Sequence, residues 1–372
     1  MSVTSVPFPP VHPLALDLVN CIMRLLFALP SVLAAAVPHV GKRVHHELAG
    51  PSLEHWPQTA ARSLDDMIAR YANSSNYAIF DWDNTSDRYD LEESLMPYLE
   101  SIGVLHEDVL DPALRVVPFL DGESMYGYYL RLCEIDDNIC YWWAAAVFSG
   151  IKLEELKRHV DDLMTLNGAV KTTFTDENGT LVEVQVNTPR IFRGQVELYN
   201  RLMANGINVY VISAAAEELV RMVASDPKYG YNVPPENVIG VSLLLNNSGV
   251  LTTARKQIAE GVYNNSNGQF VLTPTLWAPA TWMTGKWAAV LSYIDQWKLP
   301  VLAAGDTPVS DGPMIFHGIN RDDGIKLWVN RKASYMEEIA KMNETFAIEQ
   351  AEQGRPVTAD KGWVIVTPDE IQ

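Results

Sequence analysis

The chain has 372 residues, 48% of them apolar and 20% charged, and a formal net charge of −18. That length holds one large α/β domain plus a smaller one, and that apolar share is enough for most of the chain to fold. The acidic balance excludes nucleic acid as a main partner, because backbone phosphates demand a clustered surplus of Lys and Arg, but it leaves room for a small phosphorylated metabolite held by a local cation.

In chain order, residues 1–22 are rich in proline and carry Asp17, so they fit no helix. Met23-Arg24 is followed by the apolar run LLFALPSVLAAAVPHV. One basic residue, a short apolar stretch and small residues near Ala34 to Ala36 have the form of a secretory signal, too short to span a bilayer. Residues 1–36 are therefore read as a leader, with Met23 as an alternative start and the periplasm or the exterior as the destination. No membrane insertion of the mature chain is expected. The plainer reading is a disordered leader followed by a buried or membrane-leaning helix. Cys21 would leave with the leader. Cys133 and Cys140 would remain, free to form a disulfide or to stay as two buried thiols. Asn73, Asn178, Asn246, Asn264 and Asn343 each begin an Asn-X-Ser/Thr triplet, a glycoprotein signal in an exported eukaryotic chain. Residues 37–58 are polar, with His45 and His46 read as a solvated pair.

A short helix is expected over 60–72, and a buried strand over 77–81 (YAIFD) that ends in the polar cluster Asp81-Trp82-Asp83-Asn84-Thr85. Helical segments follow at 90–102, 107–112, 121–134, 138–149 and 152–165, then a hairpin over 170–187. Strand and helix alternate again from there. Helix 190–204, strand 208–213, helix 216–224 and strand 238–245 come first. Helix 282–297, strands 300–306 and 325–330, a helix bearing Tyr335, Ile339, Met342 and Phe346 on one face, and strand 363–367 complete the chain. Strands separated by helices predict a doubly wound parallel sheet. Its ligand site belongs at the carboxyl ends of the strands, where Asp81, Asp83, Ser213 and Asp306 fall. Residues 88–190 read as an insertion after the first strand. No GxxxxGK[ST] or GxGxxG loop occurs, so no nucleotide cofactor is indicated.

Phosphoryl transfer needs a nucleophile, a proton donor for the leaving oxygen, and positive charge near the phosphoryl oxygens. Asp81 and Asp83, one residue apart after a strand, point to one side and can supply the first two. Two close carboxylates repel each other and repel phosphate, which a divalent cation resolves; Mg2+ suits oxygen ligands. Asp306 can complete a metal site, Ser213 can hydrogen-bond a phosphoryl oxygen, and Lys286 can neutralise charge. Singly, each is ordinary: a capping Ser, a solvated Lys, an acidic turn.

Their order resembles the haloacid dehalogenase-like superfamily. FDWDNT (80–85) matches its first motif, VISAAA (211–216) its second, Lys286 in MTGKW its third, and AGDTPVSD, with Gly305, Asp306 and Asp311, its fourth. The resemblance covers 77–330. It implies a Rossmann-like catalytic core over 37–87 and 191–372, and a mainly helical cap over 88–190 that selects the substrate. It implies Asp81 as the nucleophile forming an aspartyl-phosphate and Asp83 as general acid and base. Asp81, Asp306 and the backbone carbonyl of Asp83 would ligate Mg2+ or another divalent ion, supported by Asp311. The second acid of the first motif favours phosphatase over dehalogenase.

DNTSDRYDLEESLMPYLE (83–100), ESMYGYYLRLCEIDDNICYWWAAAVFSG (123–150) and GDTPVSD (305–311) further resemble the bacterial phosphorylcholine phosphatases, with Trp82 and Val309 where Met and Asp are expected. The resemblance implies release of choline and phosphate, with Glu93 and Glu123 as partners of the cation. A trimethylammonium group is bound by aromatic faces and carboxylates, which Tyr126, Tyr128, Tyr129, Trp142, Trp143 and Glu92 also offer. The plain alternative is that Tyr128, Tyr129, Trp142 and Trp143 pack a helical segment and that Glu92 and Glu93 face water. Other substrates weighed are phosphoethanolamine and phosphoserine, and another class is a non-catalytic amine-binding protein. Arg131 is the residue to inspect: in the pocket, it would favour an acidic substrate.

Overall fold

In a computed structural model of the protein, residues 48–264, 269–278, 280–319 and 323–372 are described. The expected leader and the His45–His46 pair lie outside them. Among the described residues, no helix is long and apolar enough to cross a membrane.

Helix α1 (Gln58–Tyr71) precedes strand β1 (Tyr77–Phe80), which is buried at every position. The two-residue strand β2 (Asp87–Arg88) leads into α2 (Leu91–Ser101), α3 (Met125–Ile135), α4 (Asp137–Ala146) and α5 (Leu153–Thr165). A hairpin of β3 (Ala169–Thr175) and β4 (Leu181–Asn187) follows, and β5 (Arg190–Ile191) returns the chain. β5 pairs antiparallel with β2, Asp87 opposite Ile191. The inserted segment therefore leaves and returns through one narrow ribbon. Next come α6 (Arg193–Ala204), β6 (Asn208–Ala216), α7 (Glu217–Ala224) and β7 (Val238–Val241). β8 (Leu243–Asn247), β9 (Val250–Thr252), α8 (Ala254–Ala259) and β10 (Val271–Leu276) form an excursion. The chain closes with α9 (Thr284–Tyr293), β11 (Leu302–Gly305), α10 (Pro308–His317), β12 (Ile325–Val329), α11 (Ala333–Glu352) and β13 (Trp363–Val366).

The central sheet has six parallel strands in the order β13-β12-β11-β1-β6-β7. Successive residues of a strand face opposite sides. Ala78 and Phe80 belong to the larger apolar cluster, which reaches into the inserted helices. Tyr77 and Ile79 belong to a second cluster with Ala289, Met314, Phe316 and Ile339 from α9, α10 and α11. The chain moves to opposite sides of β1 on reaching β6 and β11, so β1 is the switch point where a crevice opens at the strand ends. Asp81 is the next residue.

Two expectations need correction. The helix expected over 107–112 is two short 3-10 turns, Glu107–Val109 and Pro112–Leu114, because Pro112 has no N–H to continue a helix. The single strand expected over 238–245 is broken at Ser242. β7 stays in the parallel sheet, while β8 joins β10 and β9 in a separate antiparallel sheet. Ser242 Oγ donates to Glu217 at 2.6 Å, and its carbonyl accepts from Trp277 N at 2.7 Å, which fixes the change of direction. The turn that follows, Ser248-Gly249 with φ of 53° and 87°, is a hairpin signal that was present in the sequence.

Cys133 and Cys140 form a disulfide that ties the end of α3 to α4 across seven positions. Closing so short a loop removes little unfolded-chain entropy, worth about 2 kcal/mol. The Cys133→Ser/Cys140→Ser variant should therefore still fold, with a melting temperature lowered by several degrees, and reducing agent should shift the wild type alone; both are read by thermal unfolding.

Candidate active site

The loop after β1 folds onto itself. The backbone N–H groups of Thr85, Ser86 and Asp87 all donate to the carbonyl of Trp82, at 3.1, 2.7 and 3.3 Å. Such a tight curl needs left-handed backbone, found at Asn84 with φ of 62° and at Tyr89 with φ of 72°. Asn84 tolerates that conformation; for a tyrosine it is a strained position of the kind that surrounding structure must enforce. Trp82 turns into the core against Tyr231, ring centroids 5.0 Å apart. Asp81 and Asp83 both border a cavity of about 200 Å³ at the sheet's carboxyl edge. Asp83 Oδ1 accepts from Leu91 N at 2.9 Å, and Asp90 Oδ1 accepts from Glu93 N at 2.7 Å. Two acids thus satisfy the amides at the start of α2 and fix that helix to the loop.

The other expected residues converge on the same place. Lys286, in the first turn of α9 and 1% exposed, donates to Asp81 Oδ1 at 2.5 Å and to Asp311 Oδ1 at 2.6 Å. Asp311 Oδ2 accepts from the backbone N–H groups of Asp306 and Thr307, at 2.8 and 2.9 Å. Asp311 so closes the loop after β11, where only a glycine fits: a Cβ on Gly305 would lie 2.4 Å from that of Asp311. Ser213, on β6, accepts from Ala215 N at 3.0 Å, which leaves its O–H free to donate into the cavity. Thr85 Oγ1 donates to Asp81 Oδ2 at 3.1 Å.

This arrangement concentrates negative charge. Burial, and then the neighbouring Asp311, push the Asp81 carboxyl up to about 8. Burial raises Asp83 well above the usual carboxylate range, helped by Asp90 and Asp87. Burial also raises Asp306, against the pull of the Arg331 guanidinium. At Lys286 burial acts to lower the ammonium, and Asp311 and Asp81 more than offset it, so it stays charged. Asp81, Asp306 and Asp311 each offer one carboxylate oxygen within 4.8 Å of the others. An all-oxygen, buried donor set with uncompensated negative charge fits a hard divalent cation.

Over 333 residues the chain is 58% identical to the phosphorylcholine phosphatase of Pseudomonas aeruginosa, a match spanning 88% of this chain and 95% of that protein. The chain belongs to the phosphorylcholine phosphatase family. A conserved functionally unknown protein from Anaerococcus prevotii shares the fold at a TM-score of 0.54 and 18% identity, over 78% of this chain and 90% of the other. No protein-family profile matches the chain. The two departures from the family's expected residues sit off the cavity: Trp82 is in the core, and Val309 is 59% exposed on α10.

Expectations for the substrate-facing wall fare unevenly. Glu93 borders the inner cavity and a second, outer one of about 390 Å³. Tyr129, on the inner cavity, donates to Glu93 Oε1 at 3.2 Å, and Tyr126 borders the outer one. Tyr128 and Glu123 border neither. Tyr128 is fully buried, stacked on Phe119 at 3.8 Å, with its hydroxyl bonded to Val117. The reason is helical spacing: Tyr126 and Tyr129 are three apart and share a face, whereas Tyr128 projects about 100° from Tyr129. Glu123 spends both oxygens on Arg131, at 2.7 and 2.6 Å. That pair also removes Arg131 from consideration as a substrate ligand. Trp142 and Trp143 donate to the carbonyls of Pro274 and Leu114, as packing residues do.

Tyr141, Tyr335, Thr85, Asp90 and Arg331 also reach the site and were not singled out for it. Arg331 stands just past β12, a position that the strand-end rule that found Asp306 would also have picked out. Replacing Gly305 with Ala should displace Asp311, and with it Lys286. We expect activity to fall by roughly a hundredfold and stability by about 1–3 kcal/mol, read by p-nitrophenyl phosphate turnover and thermal unfolding.

Proposed function

We propose that the chain hydrolyses phosphorylcholine to choline and inorganic phosphate through a phosphoaspartyl intermediate on Asp81. The observation that carries this reading is one cavity bordered by Asp81, Asp83, Ser213, Lys286 and Asp306 on one wall and by Glu93, Tyr129 and Tyr141 on the other. A divalent ion, Mg2+ by donor chemistry, would sit among Asp81, Asp306 and Asp311 and supply positive charge against the phosphoryl oxygens.

In the first step an Asp81 oxygen attacks phosphorus in line with the choline oxygen. The phosphorus–oxygen bond to choline breaks, and Asp83, kept protonated by burial and by facing Asp90 and Asp87, gives its proton to that oxygen. In the second step Asp83, now ionised, takes a proton from a water that attacks the phosphorus, freeing phosphate and restoring Asp81. Ser213 donates to a phosphoryl oxygen, and the Lys286 ammonium, bonded to Asp81 Oδ1, opposes the rise that burial gives that carboxyl and so favours the attacking carboxylate. The inserted segment acts as the cap. Its Glu93, Tyr129 and Tyr141 take the quaternary ammonium, with Tyr126 on the approach. No Arg or Lys of that segment borders either cavity; the guanidinium that does, Arg331 of the core, is bonded to Asp306 rather than left for an acidic head group such as that of phosphoserine.

Wild-type protein should release phosphate from p-nitrophenyl phosphate with Mg2+, and Asp81→Asn should abolish this. A kcat/KM for phosphorylcholine no greater than for phosphoethanolamine would overturn the head-group assignment.

The head-group wall also has a pH signature. Burial, then Asp90, raise the Glu93 carboxyl to about 8, so it gains charge as pH rises through that value. The phosphoryl group is already dianionic above its second pKa of about 6. KM for phosphorylcholine should therefore fall between pH 7 and 9. In Glu93→Gln, KM at pH 9 should be at least about tenfold higher and its fall over that window smaller, since the Glu93 part is lost while Asp81 still titrates there, as measured by initial rates.

Export is the second part of the proposal. The Cys133–Cys140 disulfide supports an oxidising compartment. A mass spectrum of protein from the native host should show a chain beginning after the Ala34–Ala36 run. An intact Met1 with two free thiols would sink it.

A further inference from the structure

Arg331 lies two residues beyond β12, beside Asp306 at the end of β11. The two strands are paired with Gly305 opposite Trp328, which brings their carboxyl ends together. The guanidinium is held on several sides. Its Nε donates to Asp306 Oδ2, and its Nη2 donates to Thr307 Oγ1 at 3.2 Å. The Tyr335 ring lies 5.4 Å from its central carbon. The side chain is 28% exposed, that of Asp306 only 2%.

The two oxygens of Asp306 are thereby divided between tasks. Oδ2 takes the donors on the outer side, Arg331 and the Thr307 hydroxyl, the latter at 3.2 Å. Oδ1 faces Thr85 Oγ1 at 3.4 Å, on the side of Asp81. Asp311 is divided in the same way: Oδ2 caps two backbone N–H groups, and Oδ1 turns to Lys286. Each flanking acid spends its outer oxygen on donors and presents the inner one to the cluster. For Asp311 the donors are backbone and cannot leave. For Asp306 the strong donor is one side chain, whose planar fork fixes orientation as well as charge.

We propose that Arg331 is a positioning residue for the cation site: it pins the outer oxygen of Asp306, aims the inner one at Asp81 and Asp311, and so sets the affinity of the site for a divalent ion. The inference rests on reading Asp81, Asp306 and Asp311 as the metal ligands. The competing account makes Arg331 a bare counter-ion to a buried acid. The two differ in sign. A counter-ion beside a ligand repels the incoming cation, so its removal tightens binding. A partner that orients a ligand loosens binding when removed, by about ten- to a hundredfold.

The test is a titration of full-length protein with MgCl2 alone, without substrate, following calorimetric heat and the rise in melting temperature. Arg331→Met should bind Mg2+ at least about tenfold more weakly than wild type. Arg331→Lys, which keeps the charge but lacks the fork, should be weakened as well. Mg2+ binding as tight as wild type, or tighter, in Arg331→Met overturns the proposal, and wild-type affinity in Arg331→Lys does the same. If Arg331→Met fails to fold, Arg331→Lys and Arg331→Gln carry the comparison. A wild type that binds Mg2+ yet leaves p-nitrophenyl phosphate and phosphorylcholine intact would sink the phosphatase reading alone.

Discussion

One ammonium group, that of Lys286, lies between two buried carboxylates, and the geometry of the site depends on it. Without it Asp81 and Asp311 would face each other in a low-dielectric pocket, and nothing would oppose the push of burial and of Asp311 on Asp81 toward the neutral acid. With it, the Asp81 carboxylate is favoured against burial, and Asp311 can be spent on closing the loop after β11. That closure places Asp306, and Asp306 in turn receives Arg331. Three acids and two bases leave a net negative charge, the electrostatic condition for taking up a divalent ion and, with it, a phosphate.

The sheet and the convergence of Asp81, Asp83, Ser213, Lys286 and Asp306 on one cavity can largely be read from the chain because both follow from short-range rules. An apolar run followed by an acid reads as a buried strand with a polar residue at its carboxyl end, and this rule located Asp81 and Asp306 before any fold was known. The order of the four motifs, carrying Asp81, Ser213, Lys286 and Asp306, supplies what a single one cannot. The head-group wall was less legible. An aromatic-rich helical segment announces rings without saying which way they point, and only the three-residue spacing of Tyr126 and Tyr129 separated them from Tyr128. Glu123 was lost to Arg131 for a different reason: an ion pair eight residues apart, formed across a helix start, follows no helical period. The excursion from β8 to β10 was missed because its strands are short and interrupted, so the turn at Ser248-Gly249 was the one readable mark.

The catalytic loop and the inserted segment are mechanically continuous. Asp83 and Asp90 satisfy the first amides of α2, Glu92 on that helix accepts from Ala216 N at 2.9 Å at the end of β6, and Glu93 stands one residue further on. The carboxylate proposed to meet the head group is therefore placed by the same hydrogen bonds that hold the acid proposed to protonate the leaving oxygen. The two proposed roles thus share one rigid element.

The ribbon of β2 and β5 has a consequence for how this architecture diversifies. Its two strands lie side by side, about 5 Å apart as neighbouring strands must be, so the hundred or so residues between them leave and rejoin the core within the width of one strand pair. A replacement segment would need ends that meet at that spacing and a first helix that offers its first amide to Asp83 and a carboxylate to Ala216 N.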